Sequence, residues 1–229
     1  MTLETRGRCL GLVGGVGVGA AVHYYRELAK AYEGREHPLE LVMVHADMRR
    51  GVRYVEAGDR TGLAQYLAGL IARMRDAGAE IAAVPAVTPH ICIRELEAIS
   101  PLPLVSILDA VAREVRAAGY GRVALFGTRF TIESAFFGAL DGVEVVTPRP
   151  DEIAAIHTAY FDMANSGIGT AEQRDMLTRL AHTLRERDGV EAILLAGTDL
   201  ALVFDETNTT FPYVDCAAAH IRAIVAALR

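Results

Sequence analysis

The chain has 229 residues, 52% of them hydrophobic and 23% charged, with a formal net charge of −6. This composition belongs to a globular protein with a substantial core and excludes disordered, collagen-like and disulfide-scaffold classes. Lys and Arg are scattered without a basic block, so the electrostatic footprint of nucleic-acid binding is missing and no nucleic-acid partner is expected.

In chain order, short β-rich runs alternate with longer stretches of helical period. Cys9–Val13, Leu39–His45, Ile81–Val84, Leu104–Ser106, Arg122–Phe126, Val143–Val146 and Ala192–Ala196 read as buried strands, each closed by Gly, Pro, Thr or Asp. Between and after them, Ala20–Tyr32, Thr61–Ala77, His90–Ile99, Asp109–Ala118, Thr131–Leu140, Asp151–Asn165, Thr170–Arg187 and Ala217–Leu228 carry apolar residues at helical spacing. Strands alternating with helices predict an α/β fold with a mostly parallel sheet covered by helices.

Cys9 to Gly15 and Arg122 to Thr128 are both strand-to-glycine turns opening a helix, and Ile81 to Ala86 is matched by Ile193 to Gly197. Two matched offsets point to a duplicated α/β unit, with the crossing between copies at Ser100, Pro101 and Pro103, where proline disfavours helix in the residue before it. The longest apolar stretches fall far short of a membrane span, and the N-terminal residues do not read as a signal peptide. Three cysteines, Cys9, Cys92 and Cys216, are too few and too far apart for a disulfide framework or zinc cluster. A cytoplasmic protein with no membrane partner is expected.

In parallel α/β units ligands bind beyond the carboxyl ends of the strands. Five such segments stand out. Gly14 to Ala20 is a glycine-rich turn that includes Gly15 and matches a variant of the dinucleotide fingerprint, with Asp47 as a possible ribose ligand; a tight turn accounts for it equally well. His45 to Arg50 places Asp47, Arg49 and Arg50 after a strand, where guanidinium groups could grip an acid or simply face solvent. Pro85 to His90 contains Thr88. Phe126 to Ser134 sets Thr128 and Thr131 at one helix start with Glu133 following, a carboxylate cradle that can also be a helix cap. Ala196 to Asp199 places Thr198 and Asp199 opposite Thr88 and His90 if the duplication is real, leaving His90 and Asp199 as candidate acid and base. No His, Asp or Glu pair shows metal-ligand spacing on a common face, so no metal is expected.

Taken in order, Gly14 to Gly17 with His23 to Tyr25, His45 to Asp47, Pro85 to His90, Ser106 to Asp109, Leu125 to Ser134, Leu194 to Asp199, and Val214–Asp215 with His220 resemble the aspartate/glutamate racemase family, in its aspartate racemase branch. The resemblance implies two pseudo-symmetric lobes with a cleft between them and a C-terminal helix that returns to the first lobe. That divides the chain into residues 1–103 plus 210–229 and residues 104–209. It also implies a homodimer and catalysis without PLP or any other cofactor, by two cysteine thiols, one on each lobe. The thiol positions fall at Ala86 and Gly197, and neither residue can accept a proton. Simple amino acid racemisation is therefore not expected, because an α-proton is a very weak acid.

The cradle matched by Gly15, Asp47, Arg49, Thr88, Thr128, Thr131, Glu133 and Thr198 suggests instead an isomerase- or lyase-type reaction on a more activated small carboxylate, with His90 or Asp199 as acid/base: an isomerisation, elimination or cyclisation. The alternatives are a carboxylate- or partner-binding protein without catalysis and, from the glycine fingerprint, a nucleotide-dependent oxidoreductase.

Overall fold

The computed structural model describes residues 7–229. Two four-stranded parallel sheets form its frame, as the duplication predicts. The first contains β1 (Leu10–Gly14), β2 (Leu41–His45), β3 (Ile81–Ala83) and β4 (Leu104–Val105) in the order β2-β1-β3-β4. The second contains β5 (Arg122–Phe126), β6 (Glu144–Val146), β7 (Ala192–Leu195) and β8 (Tyr213–Asp215) in the equivalent order β6-β5-β7-β8. Leu10 sits between Leu41 and Ile81, and Val123 between Val145 and Ala192. The central strands are buried on both faces, which is why they read as continuous apolar runs.

The strand pairing differs from the sequence expectation at both crossings. A boundary after residue 103 assigns Leu104 and Val105 to the second lobe, but β4 pairs with β3 of the first sheet. Assigning residues 210–229 to the first lobe takes β8 with them, yet β8 pairs with β7 of the second sheet. The helices then exchange sides. Helix α5 (Ile107–Ala118) follows β4 but buries Ile107, Val111 and Val115 among residues of the second sheet. Helix α9 (Cys216–Ala227) follows β8 and packs Ala217, Ile221 and Ile224 against Leu10, Leu12 and Tyr24 of the first. These two crossing helices also pack on one another, and Arg222 forks onto Glu114 between them.

The remaining helices are α1 (Val18–Ala31), α2 (Met48–Glu56), α3 (Arg60–Asp76), α4 (Ile93–Ile99), α6 (Arg129–Glu133), α7 (Pro150–Ser166) and α8 (Ala171–Asp188). Helix α2 is not among the helices expected from the sequence; Gly51 interrupts it, and Val55 alone of its residues is buried. Its start is Asp47, whose carboxylate accepts from Arg49 N at 3.0 Å. The helix expected over Thr131–Leu140 stops at Glu133. Ala135, Phe136 and Phe137 then take positive φ values of 48°, 59° and 57°, and the turn drives Phe136 fully into the second core. Left-handed backbone at three consecutive non-glycine residues is costly, and burial of a phenyl ring offsets it. Among the described residues no helix is long and apolar enough to cross a membrane.

Candidate active site in the interlobe cleft

The turns after β1, β3, β5 and β7 meet across the cleft, and three hydrogen bonds join the lobes there. Ala20 N donates to Asp199 Oδ1 at 2.8 Å, Thr198 Oγ1 donates to Pro85 O at 3.0 Å, and the hydroxyls of Thr88 and Thr128 are 3.0 Å apart. Each links a residue of the first sheet's turns or helices to one of the second's. The glycines of the first turn serve this closure. Gly15 has φ +79°, a left-handed backbone that disfavours any side chain. A Cβ on Gly17 would lie 3.0 Å from Asp199 Oδ1 and closer still to Oδ2, so glycine lets the carboxylate reach the start of α1. The helix start that a dinucleotide phosphate would use is thus occupied by a carboxylate of the same chain. Gly17→Ala should cost about 2 kcal/mol by pushing Asp199 away, seen as a melting temperature lower by roughly 5 °C.

Asp199 is 1% exposed, and both its oxygens are engaged: Oδ2 accepts from Tyr160 Oη at 3.3 Å. Burial raises its carboxyl above the ordinary value, against the lowering effect of the bonds from Ala20 and Tyr160. Tyr160, on α7, is the residue that the sequence reading missed. Its ring lies over Gly197: a Cβ there would fall 2.8 Å from Cζ and nearer still to Cε2. The space that a side chain at 197 would take holds an aromatic ring, and burial pushes its phenol well above its usual range. Within Asp151–Asn165, Tyr160 is one more large residue on a helix face. The only sign of its role is a glycine far along the chain.

His90 is placed differently from the expectation of an acid facing the cleft. Its Nδ1 is 2.8 Å from Ala86 O, a geometry that requires N–H donation to the carbonyl, and burial depresses it to about 4. It is therefore a neutral imidazole fastening the 85–88 turn from behind. Its ring meets His220 edge-on at 6.5 Å, and His220 in turn donates from Nε2 to Val105 O and accepts from the Tyr24 hydroxyl through Nδ1. Asp199 faces α1 and Tyr160, so the two candidates for acid and base do not share one face of the cleft.

The other predicted residues divide clearly. Thr88, Thr128 and Ala86 line one cavity of about 80 Å³ together with Tyr160. Thr131 is fully buried behind Thr128, and Thr198 is spent on Pro85 O. Asp47 and Arg49 are exposed at the start of α2, Arg50 stacks on the Tyr66 ring at 4.6 Å, and Glu133 is exposed beside Arg129. None of these four lines the cavity, because α2 turns their side chains outward and α6 ends after one turn.

Two cysteines can be placed as non-reactive. Cys92 donates to Pro89 O and burial lifts its thiol to about 12; Cys216 is fully buried, and burial, then Asp215 beside it, holds its thiol well above the usual range. Neither offers a thiolate near neutrality. Among the described residues no group of three or more His, Cys, Asp or Glu is arranged to hold a metal ion.

The chain belongs to the Asp/Glu/hydantoin racemase family, whose model matches residues 13–224. An Asp/Glu racemase candidate from Yersinia pestis is 29% identical, with a TM-score of 0.80 over 96% of this chain and 99% of its own. An aspartate racemase homologue from Pyrococcus horikoshii is 26% identical, with a TM-score of 0.79 over 96% and 99% of the two chains. The likeness in fold extends to a maleate isomerase from Pseudomonas putida at 18% identity, with a TM-score of 0.54 over 96% and 92%.

Proposed function

We propose that this member of the Asp/Glu/hydantoin racemase family is an isomerase- or lyase-type enzyme that acts on a small, activated carboxylate without cofactor and without thiols. The observation that carries the reading is the Tyr160 phenol, held by Asp199 at the position of the second thiol, opposite the methyl group of Ala86. Racemisation needs a proton-transfer group on each face of the reacting carbon. This cleft has one on a single side.

A phenol raised above its usual range stays protonated near neutrality and so has a proton to give. Tyr160 is thus assigned the delivery of its O–H proton to an enolate-like carbon or a leaving group and, as the phenolate so formed, the removal of a proton from the substrate, which restores the phenol at the end of each turnover. Asp199 is a positioning residue: it holds the phenol and, with burial favouring its protonated form, can share the proton. His90 keeps the 85–88 turn in place and takes no part in proton transfer.

Proton NMR of amino acids, dicarboxylates, unsaturated acids and 2-oxo acids incubated with the protein in heavy water tests the reading. Turnover of an unsaturated or 2-oxo acid is expected. Tyr160→Phe should lower kcat about 100-fold or more, in the range of a lost general acid, with KM little changed. Steady deuterium incorporation at the α-carbon of aspartate or glutamate would overturn the proposal.

The second reading is a binding protein of the same fold. It is favoured by the engagement of both Asp199 oxygens, one by Ala20 N and the other by the Tyr160 hydroxyl. Saturable binding with no turnover of any acid would select it.

A further inference from the structure

We infer that the cleft takes a short aliphatic monocarboxylate, with its hydrocarbon part in the 80 Å³ cavity and its carboxylate at the Thr88 hydroxyl, in place of a dicarboxylate. The inference rests on the reading of this cleft as the ligand site and names the class of ligand.

The cavity's walls carry the argument. Val16, Met48, Val52, Val55, Leu63 and Phe161 are the large apolar side chains among them, and among the described residues no Arg, Lys or His lines the cavity. A second carboxylate placed among these walls would lose its water without gaining a hydrogen-bond donor or a cationic partner, which makes its burial costly. A hydrocarbon chain placed there gains from leaving water. Arg49, the residue whose sequence position suggested a grip on such a group, faces solvent.

The polar end of the cavity has a direction. Thr88, Thr128 and Thr131 form a chain of hydroxyls, 3.0 Å and 3.1 Å apart, and Thr128 Oγ1 also accepts from Thr131 N. Three hydroxyl hydrogens serve two bonds, so one is left over. Thr131 is fully buried, and leaving its hydrogen unpaired would cost the full desolvation of a donor. Thr131 therefore donates to Thr128 and Thr128 to Thr88, which leaves the half-buried Thr88 with a free O–H at the cavity wall. A chain of donors polarised toward its open end suits an anion.

Size completes the assignment. A dry cavity of roughly 150 Å³ accepts benzene, whereas one of about 80 Å³ suits a branched chain of three or four carbons.

The test is a titration of the protein, followed by ¹⁵N NMR, with 3-methylbutanoate and with succinate as probes. The branched acid should bind at least tenfold more tightly. Val52→Arg, which places a guanidinium on a half-buried wall position, should reverse that order. Val52→Thr, nearly isosteric, should weaken the branched acid without improving succinate. Equal or tighter binding of succinate, or saturable binding of neither acid, overturns the inference. Because the titration needs no turnover, binding of the branched acid by a protein inactive on every acid overturns the enzyme reading alone. Turnover of a dicarboxylate bound more tightly than 3-methylbutanoate does the opposite.

Discussion

Gly197→Ala is expected to destabilise the protein by about 3 kcal/mol, the upper end of overpacking costs, although the backbone at that position suits any residue. Gly197 has φ −146° and ψ 121°, an extended conformation, so the penalty is purely steric. The added methyl would meet Cδ2 of Tyr160 at 2.7 Å and Cζ at 2.8 Å, too close for real carbon contacts. The ring has little freedom to yield, since it is packed in the second core and its hydroxyl is tied to Asp199. Tyr160→Ala alone should cost about 3 kcal/mol through the cavity it leaves. In the double variant the new methyl occupies space that the ring has left, so the two costs should fall short of their sum by about 2 kcal/mol, the coupling expected of residues in contact. Urea unfolding of the four proteins measures this, with an unchanged slope as the sign that the unfolded state is the same. Additive costs would show that the ring does not fill the space above Gly197, and the proposed role of Tyr160 would lose its geometry. If the coupling is found, no side chain can be introduced at 197 by a single substitution without displacing the phenol ring.

The duplicated α/β frame was legible because each central strand is a continuous apolar run with a turn residue at its end: β5, Arg122–Phe126, is bounded by Gly121 and Gly127. The strand β8 was not legible. It has three residues, and Tyr213 and Asp215 surround a single buried Val214, which gives no pattern to read. Its pairing with β7 is a property of the assembled sheet. The site divides along the same line. Thr88, Thr128 and Asp199 come at strand ends, where topology forces turns to face the cleft, and their positions could be read from spacing. Tyr160 comes from the middle of a helix and reaches the cleft only because residue 197 lacks a side chain, a relation between distant parts of the chain that no local pattern carries. Arg49 fails for the converse reason. It follows a strand end, but Asp47 caps α2 immediately afterwards, and the helix turns the guanidinium to solvent. His90 follows a strand end as well, yet its ring is drawn back to the Ala86 carbonyl within its own turn.

The buried histidines that hold this turn and the lobe crossing make a second large effect predictable: stability should fall steeply as the pH drops from about 6.5 toward 5. His90 is depressed from its ordinary 6.5 to about 4, chiefly by burial, and His220 to about 3, by burial and then by His90 beside it. In the unfolded chain both take up a proton near the ordinary value. Between the two ranges the unfolded state holds two more protons than the folded state, so unfolding free energy rises with pH. The stability is fully present above about 6.5 and is lost on acidification. Two protons give a limiting slope of about 2.7 kcal/mol per pH unit, and His157, depressed by burial and then by Arg129, adds in the same direction. Asp199 and Asp215 act oppositely: burial raises both, so the folded state takes up their protons more readily and recovers some stability once the carboxylate range is reached. The histidine effect is therefore cleanest above pH 5. Urea unfolding at half-unit steps between pH 7 and 5 measures the slope. His220→Gln should lower stability at pH 7, because Tyr24 and Val105 lose well-placed partners, while reducing the slope by about half, to ~1.4 kcal/mol per unit. A wild-type profile flat across that interval would mean that these imidazoles are charged or hydrated in the folded protein. The neutral His90 that fastens Ala86, and with it the one-sided cleft, would then have to be abandoned.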